Sequence, residues 1–352
     1  MKNFKRVVVW AMLSIMLQTM VLLYCDKVLF RQTSDIVFIE DEEKKEEVVV
    51  EVEMPSDAEN IKLSPDGKYV VYLSNGDTHM VNTKTGEKLT GFKDDETIDL
   101  LCYDWQVDKN ILLLAETKVS DSGRTVINLA TYNPKSDTKR NAYELCSYEE
   151  GMTVEHIVNS TKSSVTYVPV SRDGYSATIY RIDINEDMTK LYNRVPALGH
   201  IEAFYAKDAL IYEDTVNDIY YKYSNNELTP ISFENPANTI ILGLTNNGVI
   251  YAGIKNIDGK VSEIIYGEDE ISPSQWEHIS LEEPKEPSDI YVTIGINQGE
   301  VLINDNLKGK ITNLSTNDEI TYEGKFITMN DEVICSLSNS ILKIKSLTSI
   351  DK

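Results

Sequence analysis

A polar turn followed by a short apolar strand recurs along most of the chain. Runs such as YVVYL, ILLLA and VIYAGI are rich in β-branched and aromatic residues, as strands are. Seven such runs begin at Tyr69, Ile111, Val165, Leu210, Val249, Val301 and Val333. Their average spacing is about 44 residues, close to the roughly 40–45 residues that a four-stranded repeat occupies. The pattern predicts a repeated all-β architecture.

Other β-rich runs flank each apolar strand, one upstream and one downstream. A fourth, more polar run follows in six of the seven units, for example EKLTGF and TKRNAYEL. Inner strands that are apolar on both faces, with outer strands of mixed character, are typical of blades that pack face to face around an axis. We therefore predict an all-β β-propeller of about seven four-stranded blades, with six or eight blades as the alternatives.

The seventh unit shows no fourth strand of its own. The segment EVVVEVEM, from Glu47 to Met54, precedes the first unit and alternates like an outer strand. If this N-terminal strand pairs with the last unit, it closes the ring and removes two exposed sheet edges. Pairs that accept the positive φ of a tight hairpin occur at Asp66-Gly67, Asp173-Gly174, Asn247-Gly248 and Asp258-Gly259.

An uncharged run of 19 residues lies near the N-terminus, from Val7 to Cys25. A helix of that length spans roughly 28 Å, which is close to the hydrocarbon core of a bilayer. Lys2, Lys5 and Arg6 precede the run, and such residues favour the cytoplasmic side. We predict one uncleaved transmembrane helix in a cell membrane, with the N-terminus cytoplasmic and the remainder extracytoplasmic. A cleaved signal peptide and a lipoprotein processed at Cys25 are the alternatives.

A charged segment separates this run from the repeats. It ends in EDEEKKEE at residues 40–47, which is typical of a solvated, self-repelling spacer. The predicted organisation is a cytoplasmic tail (1–6), a transmembrane anchor (7–25), an acidic stalk (26–46) and a propeller domain (47–352).

The chain is strongly acidic, with 34 Lys plus Arg against 57 Asp plus Glu and a formal net charge of −23 over 352 residues. Phosphate binding needs a basic face, so this balance argues against nucleic acid as a partner and against adhesion of the globular part to anionic lipid. Hydrophobic residues make up 41% of the chain, which is enough for a packed core.

The segment SPDGKYVVYL, from Ser64 to Leu73, resembles the repeat of TolB-like β-propellers. That resemblance implies the propeller fold and a habit of binding other proteins, and it carries no catalytic residues. No Trp-Asp repeat is present, so the sequence itself does not support the WD class. A short tail, one anchor and an outward propeller also resemble the first half of dipeptidyl peptidase IV-type proteins, and we expect their hydrolase domain to be absent here.

The sequence lacks the common catalytic and ligand-binding motifs. G-x-S-x-G, H-E-x-x-H, C-x-x-C, G-x-G-x-x-G and a Walker loop are absent, so we predict no catalytic residues, no cofactor and no metal. The four histidines show no ligand spacing. We expect His79 and His156 in strands, His200 near a loop and His278 in an outer strand, as separate packed or solvated side chains.

Cysteine chemistry and calcium binding are also disfavoured. Cys102 and Cys146 fall in the inner and outer strands of one predicted blade, three strand steps apart, which is beyond the reach of a disulfide. With Cys335 they are expected to be buried free thiols. The segment DINEDM from Asp183 begins like a calcium loop, but Met188 stands where that loop needs glycine, so a polar turn is expected.

Acidic residues gather in the loops that we expect to share one rim, namely those between second and third strands and those between blades. The candidate partner-binding residues are Asp95, Glu96, Asp121, Glu149, Asp173, Asp214, Asp258 and Asp305, accompanied by Asp77, Asp94, Glu150, Glu282 and Glu283. The hypothesis is an acidic face that attracts a cationic protein, a cell-wall component or divalent ions. The alternative is that an acidic protein carries acids in all of its loops.

These observations predict a membrane-anchored, non-catalytic scaffold or accessory protein of a bacterial cell envelope, with one or more protein partners. One alternative is a glycan-binding module, since 20 tyrosines offer rings for sugars. Another is a propeller hydrolase or lyase with a site on the central axis. The sequence leaves the oligomeric state open.

Overall fold

The computed structural model describes residues 10, 12, 14–22, 49–93, 97–172, 176–185, 187–191, 195–294 and 299–347. The chain divides into two compact units, 1–46 and 47–352. In the first unit the described residues between Trp10 and Leu22 are helical. Within the described residues, no helix combines the length and apolar character needed to span a bilayer. The anchor from Val7 to Cys25 lies partly, and the stalk wholly, outside these residues, so both stay predictions.

In the second unit the described strands form seven four-stranded antiparallel sheets, which confirms the predicted seven blades. We name the strands of a blade a, b, c and d from the axis outward. The first four blades comprise β2 (Glu59–Leu63), β3 (Tyr69–Ser74), β4 (Asp77–Asn82) and β5 (Lys88–Leu89); β6 (Thr97–Gln106), β7 (Lys109–Val119), β8 (Thr125–Asn133) and β9 (Thr138–Ser147); β10 (Val158–Ser160), β11 (Val165–Arg172), β12 (Ser176–Ile182) and β13 (Met188–Lys190); and β14 (Leu198–Ala203), β15 (Ala209–Asp214), β16 (Ile219–Ser224) and β17 (Glu227–Ile231).

The last three blades include the N-terminal strand β1 (Val49–Glu53). They comprise β18 (Thr239–Leu244), β19 (Val249–Lys255), β20 (Val261–Glu268) and β21 (Glu277–Lys285); β22 (Ile290–Val292), β23 (Val301–Asp305), β24 (Lys310–Asn313) and β25 (Glu319–Thr321); and β26 (Lys325–Met329), β27 (Val333–Ser338), β28 (Ile341–Ser346) and β1. Short 3-10 turns lie at Pro236–Asn238, Pro273–Gln275 and Pro287–Asp289.

The d position of the seventh blade is taken by β1. It pairs antiparallel with β28, from Val49 opposite Lys345 to Glu53 opposite Ile341. The a strands of the first and last blades, β2 and β26, also contact each other. Val52 is the buried residue of β1, and it packs in a cluster with side chains of both the first and the last blade.

The core lies between the blades, because the inner strands are apolar on both faces. In the described part of the chain, each of the seven blade-to-blade interfaces has its own apolar cluster. Strand β7 shows how one strand supplies two of them. Leu112 and Leu114 pack toward the first blade, whereas Leu113 and Ala115 pack toward the third, since successive side chains of a strand point to opposite faces.

Two a–b turns repeat the same local device, which supports the internal repeat. The hydroxyl of Ser64 accepts a hydrogen bond from the Tyr69 amide at 3.0 Å, and that of Thr245 accepts one from the Val249 amide at 3.0 Å. The glycines of these turns, at 67 and 248, have φ of +69° and +89°. Positive φ is also found at Gly259, as predicted, and Asp173-Gly174 lies outside the described residues.

The histidines divide between correct and wrong predictions. His79 lies in β4 and His278 in β21, as expected. His156 lies outside any strand, because the chain joins the third sheet only at Val158. His200 lies in β14, two residues from the start of this strand, so it is near a loop as expected.

The three described cysteines are free thiols, as predicted. Burial raises the pKa of the Cys102 thiol to about 12, so it is protonated and unreactive at neutral pH. Asp183 accepts hydrogen bonds from the amides of Asn185 and Asp187, which is the polar turn expected there.

The packing of β1 predicts that Val52→Asp destabilises the propeller. The change removes a buried aliphatic side chain and places a carboxyl group between the first and last blades, which should cost about 3 kcal/mol of the free energy of unfolding. Urea denaturation followed by tryptophan fluorescence measures this loss. Glu53→Gln, at an exposed neighbouring position of the same strand, is the matched control and should leave the midpoint unchanged. A wild-type midpoint for Val52→Asp would show that β1 contributes nothing to stability.

Candidate functional site

The antiparallel order of each blade places its loops on two faces. The a–b and c–d loops lie on one face, which we call the ab face, and the b–c and d–a loops lie on the other, the bc face. The a–b loops include residues 64–68, 107–108, 161–164, 204–208, 245–248 and 330–332. Because β1 is a d strand, its first residue, Val49, lies at the ab face.

A cavity of about 540 Å³ opens on the ab face around the axis. We call it the channel mouth. Its walls come from the ends of a strands and from a–b loops of six blades, all but the third. The residues that form it are Leu63, Pro65, Trp105, Gln106, Val107, Asp108, Tyr205, Asn246, Tyr291, Ile294, Asn330, Asp331 and Glu332.

Aromatic and aliphatic side chains form much of the wall. Trp105 is 8% exposed, stacks on Tyr69 with ring centroids 6.4 Å apart, and donates its indole N–H to the Lys62 carbonyl at 3.3 Å. Its position is therefore fixed by the first blade. Val107, in contrast, is 42% exposed at the tip of its loop. The mouth thus combines a rigid aromatic wall with an apolar side chain in water.

Two carboxylates of the mouth are held by tyrosines. Asp108 accepts a hydrogen bond from the Tyr205 hydroxyl at 2.8 Å, a contact that joins the loops of the second and fourth blades. Asp331 accepts bonds from the Tyr291 hydroxyl at 3.1 Å and from the Ile294 amide at 3.0 Å. Desolvation and the bond to Asp108 raise the pKa of Tyr205 to about 12, so this phenol stays a donor at neutral pH.

Charged side chains also lie on the a strands at the axis. Lys62 donates to Asp104 at 2.9 Å, and the His200 ring lies 3.2 Å from Glu202. Glu202 also accepts the Leu244 amide, which ties the fourth blade to the fifth. Loss of bulk water lowers the pKa of His156, whose electrostatic neighbours include Lys62 and His200.

These axial groups form no recognisable chemical site. Among the described residues, no group of three or more His, Cys, Asp or Glu side chains is arranged to hold a metal ion. The described hydrogen-bond partner of the His200 ring is a carboxylate, and the ring is not bonded to a hydroxyl or thiol nucleophile.

The loop that carries Tyr205 is fixed by an ion pair on its third-blade side. Arg181 of β12 donates to both carboxylate oxygens of Asp208, at 3.1 and 2.6 Å. Burial alone would raise the pKa of Asp208, but the bonds from Arg181 and Tyr167 outweigh burial and lower it.

The fifth blade fixes the same loop from the other side. Asp269, in its c–d loop, is 4% exposed and accepts bonds from Lys207 at 2.7 Å and from Lys222 at 3.0 Å. Burial alone would raise the pKa of Asp269, but the bonds from Lys207 and Lys222 lower it overall. Tyr205 therefore projects from a segment that is pinned to both neighbouring blades.

Of the eight acids predicted as partner-binding residues, the five that the structure describes do not line the channel mouth. Asp95, Glu96 and Asp173 lie outside the described residues. Asp121 and Asp258 are exposed in b–c loops, as expected. Glu149 lies 3.4 Å from Arg172, and Asp305 lies 3.1 Å from Lys308, so a cation accompanies each of these two.

Asp214 corrects the prediction, because it is 4% exposed. Its carboxylate accepts the Val216 amide at 3.1 Å and the Asn217 side-chain amide at 2.7 Å. It shapes the b–c turn of the fourth blade and is not available to a partner. Sequence position alone cannot separate such a turn-capping aspartate from an exposed one.

The residues of the channel mouth were missed. Asp108, Tyr205 and Asp331 directly follow the a strands of their repeats, so the repeat pattern could have pointed to them. The candidate acids are instead those of the opposite loops, on the bc face. The sequence carries no signal that loops of non-adjacent blades meet, as those of Asp108 and Tyr205 do.

Comparisons with known proteins show the fold. No family model matches the sequence, and no curated protein matches it. The β-propeller domain of Cps50 (Swd1) from Myceliophteria thermophila is 12% identical, with a TM-score of 0.51 over 86% of this chain and 99% of that one. The structure of U3-55K is 8% identical, with a TM-score of 0.51 over 84% and 98%.

A third solved structure, the WD40 domain of SCAP from fission yeast, is 11% identical with a TM-score of 0.44 over 84% of this chain and 86% of that one, which is too low to carry an argument. The two better matches show the β-propeller fold alone. The likeness of Ser64 to Leu73 to TolB-like repeats stays a resemblance.

The double ion pair at Asp269 predicts a pH-dependent contribution to stability. Asp269→Asn leaves two ammonium groups without their carboxylate and should lower the free energy of unfolding at pH 7 by about 2–3 kcal/mol. Because the folded-state pKa is lowered, this contribution is present above the unfolded value of 3.8 and is lost as the pH falls through the folded value. Urea denaturation should therefore show a large difference in the free energy of unfolding between Asp269→Asn and the wild type at pH 7. The difference should be smaller at pH 3.

Glu268→Gln is the matched control, since Glu268 is exposed at the end of β20, beside the same c–d loop. It should change stability little at either pH. An Asp269→Asn difference of equal size at both pH values would mean that the charge of this carboxylate is not responsible.

Proposed function

We propose that this protein is a non-catalytic scaffold whose protein partner docks at the channel mouth on the ab face. The observation that carries the proposal is the 540 Å³ cavity built by loops of six blades. A concave surface with apolar walls and a few fixed polar groups is the usual form of a binding site. Here the polar groups are carboxylates held by tyrosines from other parts of the ring.

The fold supports binding over catalysis. Seven blades packed on one another give a rigid support, and the loops at the axis present side chains from distant parts of the sequence on one surface. The described axial histidines and carboxylates do not form a metal cluster, and the sequence lacks the catalytic motifs that such chemistry uses.

Membrane attachment is part of the proposal. Its support is the uncharged stretch from Val7 to Cys25 with three basic residues before it. The propeller would then act outside the cytoplasm, at a bacterial cell envelope. In the same proposal, the pairing of β1 with β28 closes the ring.

A glycan-binding module is the second candidate. The observation that favours it is that Tyr205 and Tyr291 are partly exposed in the walls of the mouth, where their rings could stack on a sugar. The proposals separate experimentally, since a lectin binds glycans on an array in the absence of any protein.

A steric block at the mouth tests the docking site independently of charge. Val107→Cys, labelled with a bulky neutral maleimide, should reduce the partner captured by the full chain from envelope extract by roughly tenfold or more. Leu307→Cys with the same label is the matched control, because Leu307 is an aliphatic residue, fully exposed in a b–c loop on the opposite face. Labelled wild-type chain controls for Cys146, which is only partly buried.

Three outcomes would contradict the proposal. If the label at position 307 abolishes capture and the label at position 107 does not, the partner binds the acidic bc face. Glycan-array binding that the position 107 label blocks, without any captured protein, favours the lectin. Turnover of a sugar or peptide library by the purified chain would overturn the non-catalytic assignment.

A further inference from the structure

We infer that the channel mouth receives a lysine or arginine side chain from an extended segment of the partner, with aliphatic residues on either side of that cation. The inference rests on the proposed docking site and names the chemistry of its occupant. It depends on the charge of the lining, the state of the carboxylates and the apolar surface beside them.

The lining is negatively charged. Its three ionisable acids, Asp108, Asp331 and Glu332, accompany ten neutral residues, and no Lys, Arg or His is among the lining residues. Asp108 comes from the second blade and the other two from the seventh, so the acids flank the loop of the first blade. All three acids are exposed, so they attract a cation through water, and a cavity that gathers charges of one sign focuses that attraction.

Asp108 is positioned by a neutral donor, and Lys68 is an electrostatic neighbour of Glu332. Asp108 accepts from the Tyr205 hydroxyl, and Asp331 accepts from a hydroxyl and a backbone amide. The hydroxyl that Asp108 accepts from is neutral. A carboxylate offers about four lone-pair directions, so Asp108 can still accept from an ammonium or guanidinium group. Glu332 is exposed.

The aromatic part of the mouth already interacts with a cation of the chain itself. The Lys162 ammonium lies 5.1 Å from the centroid of the Tyr205 ring, within the range of a cation–π contact. Lys162 is exposed and is not part of the lining. Its charge opposes that of the three acids, so it weakens the attraction for a second cation without reversing it.

The apolar surface fits the neighbours of that cation. Val107 is exposed beside Asp108, and Pro65 and Ile294 are partly exposed in the same walls. A segment with a basic residue between aliphatic ones would cover these side chains. An acidic segment would be repelled, and a purely polar one would leave them in water.

The acids of the bc face fit a cationic partner less well. Besides Glu149 and Asp305, Asp77 is paired there with Lys93. Asp121 and Asp258 are exposed, and no ion pair is described for either of them. These two therefore give a matched way to remove two negative charges without touching the mouth.

The test is peptide binding to the full chain in detergent solution, measured by fluorescence anisotropy. The probes are labelled peptides Gly-Ser-Leu-X-Leu-Ser-Gly, in which X is arginine, lysine, citrulline or glutamate. We expect the arginine and lysine peptides to bind roughly tenfold more tightly than the citrulline peptide, and this preference to shrink when salt is raised. The double variant Asp108→Asn, Glu332→Gln should reduce the preference to about threefold or less, because both amides keep the shape and lose the charge while Asp331 remains.

The double variant Asp121→Asn, Asp258→Asn has the same net charge as the mouth variant and should bind like the wild type. Lys162→Gln should bind the arginine peptide more tightly. Equal affinity for the arginine and citrulline peptides, or equal loss in both double variants, would overturn the inference. Such a result would leave the proposed function standing if the position 107 label still blocks partner capture. The proposed function fails separately if that label has no effect.

Discussion

Face-to-face packing of blades is the constraint on which this structure depends. An inner strand of a blade must be apolar on both faces, because one face packs on the preceding blade and the other packs on the next blade. Strand β7 meets this demand with Leu112 and Leu114 on one side and Leu113 and Ala115 on the other. The requirement recurs at all seven interfaces of the described chain. Polar residues are therefore concentrated in loops, in outer strands and along the axis.

This division explains what could be read from the sequence. Packing imposes a repeated pattern, so the seven blades and the apolar b strands from Tyr69 to Val333 were predicted, and five of those seven b strands begin at the predicted residue. Placement at the axis follows no such pattern. The short β10 leaves His156 outside the sheet, and β14 includes His200. The local sequence does not specify where an a strand begins to pair with its b strand, and that point determines whether each of these histidines lies in a strand.

The candidate site could be predicted only to the level of acidic loops. A count of acids favours the bc face, but the structure shows what surrounds each of them. Asp214 is used by its own turn, and Glu149 and Asp305 have a cation close by. An acidic residue in a loop contributes to the charge of the surface only where no nearby cation or turn amide binds its carboxylate. Those partners lie on neighbouring hairpins or a few residues away, at spacings that a repeat pattern does not specify.

The ab face differs because Asp108 is held there by a neutral donor from a distant part of the chain. Tyr205 reaches Asp108 across 97 positions of sequence, and its loop is fixed by Arg181 on one side and by Asp269 on the other. The ion pairs of Asp208 and Asp269 therefore lie outside the lining of the mouth, where they fix the loop that carries Tyr205. The carboxylate of Asp108, in front, receives a hydrogen bond that orients it and leaves its charge in place. A rigid ring can in this way keep negative charge at its axis while other acids, such as Asp208, Asp214 and Asp269, fix its loops.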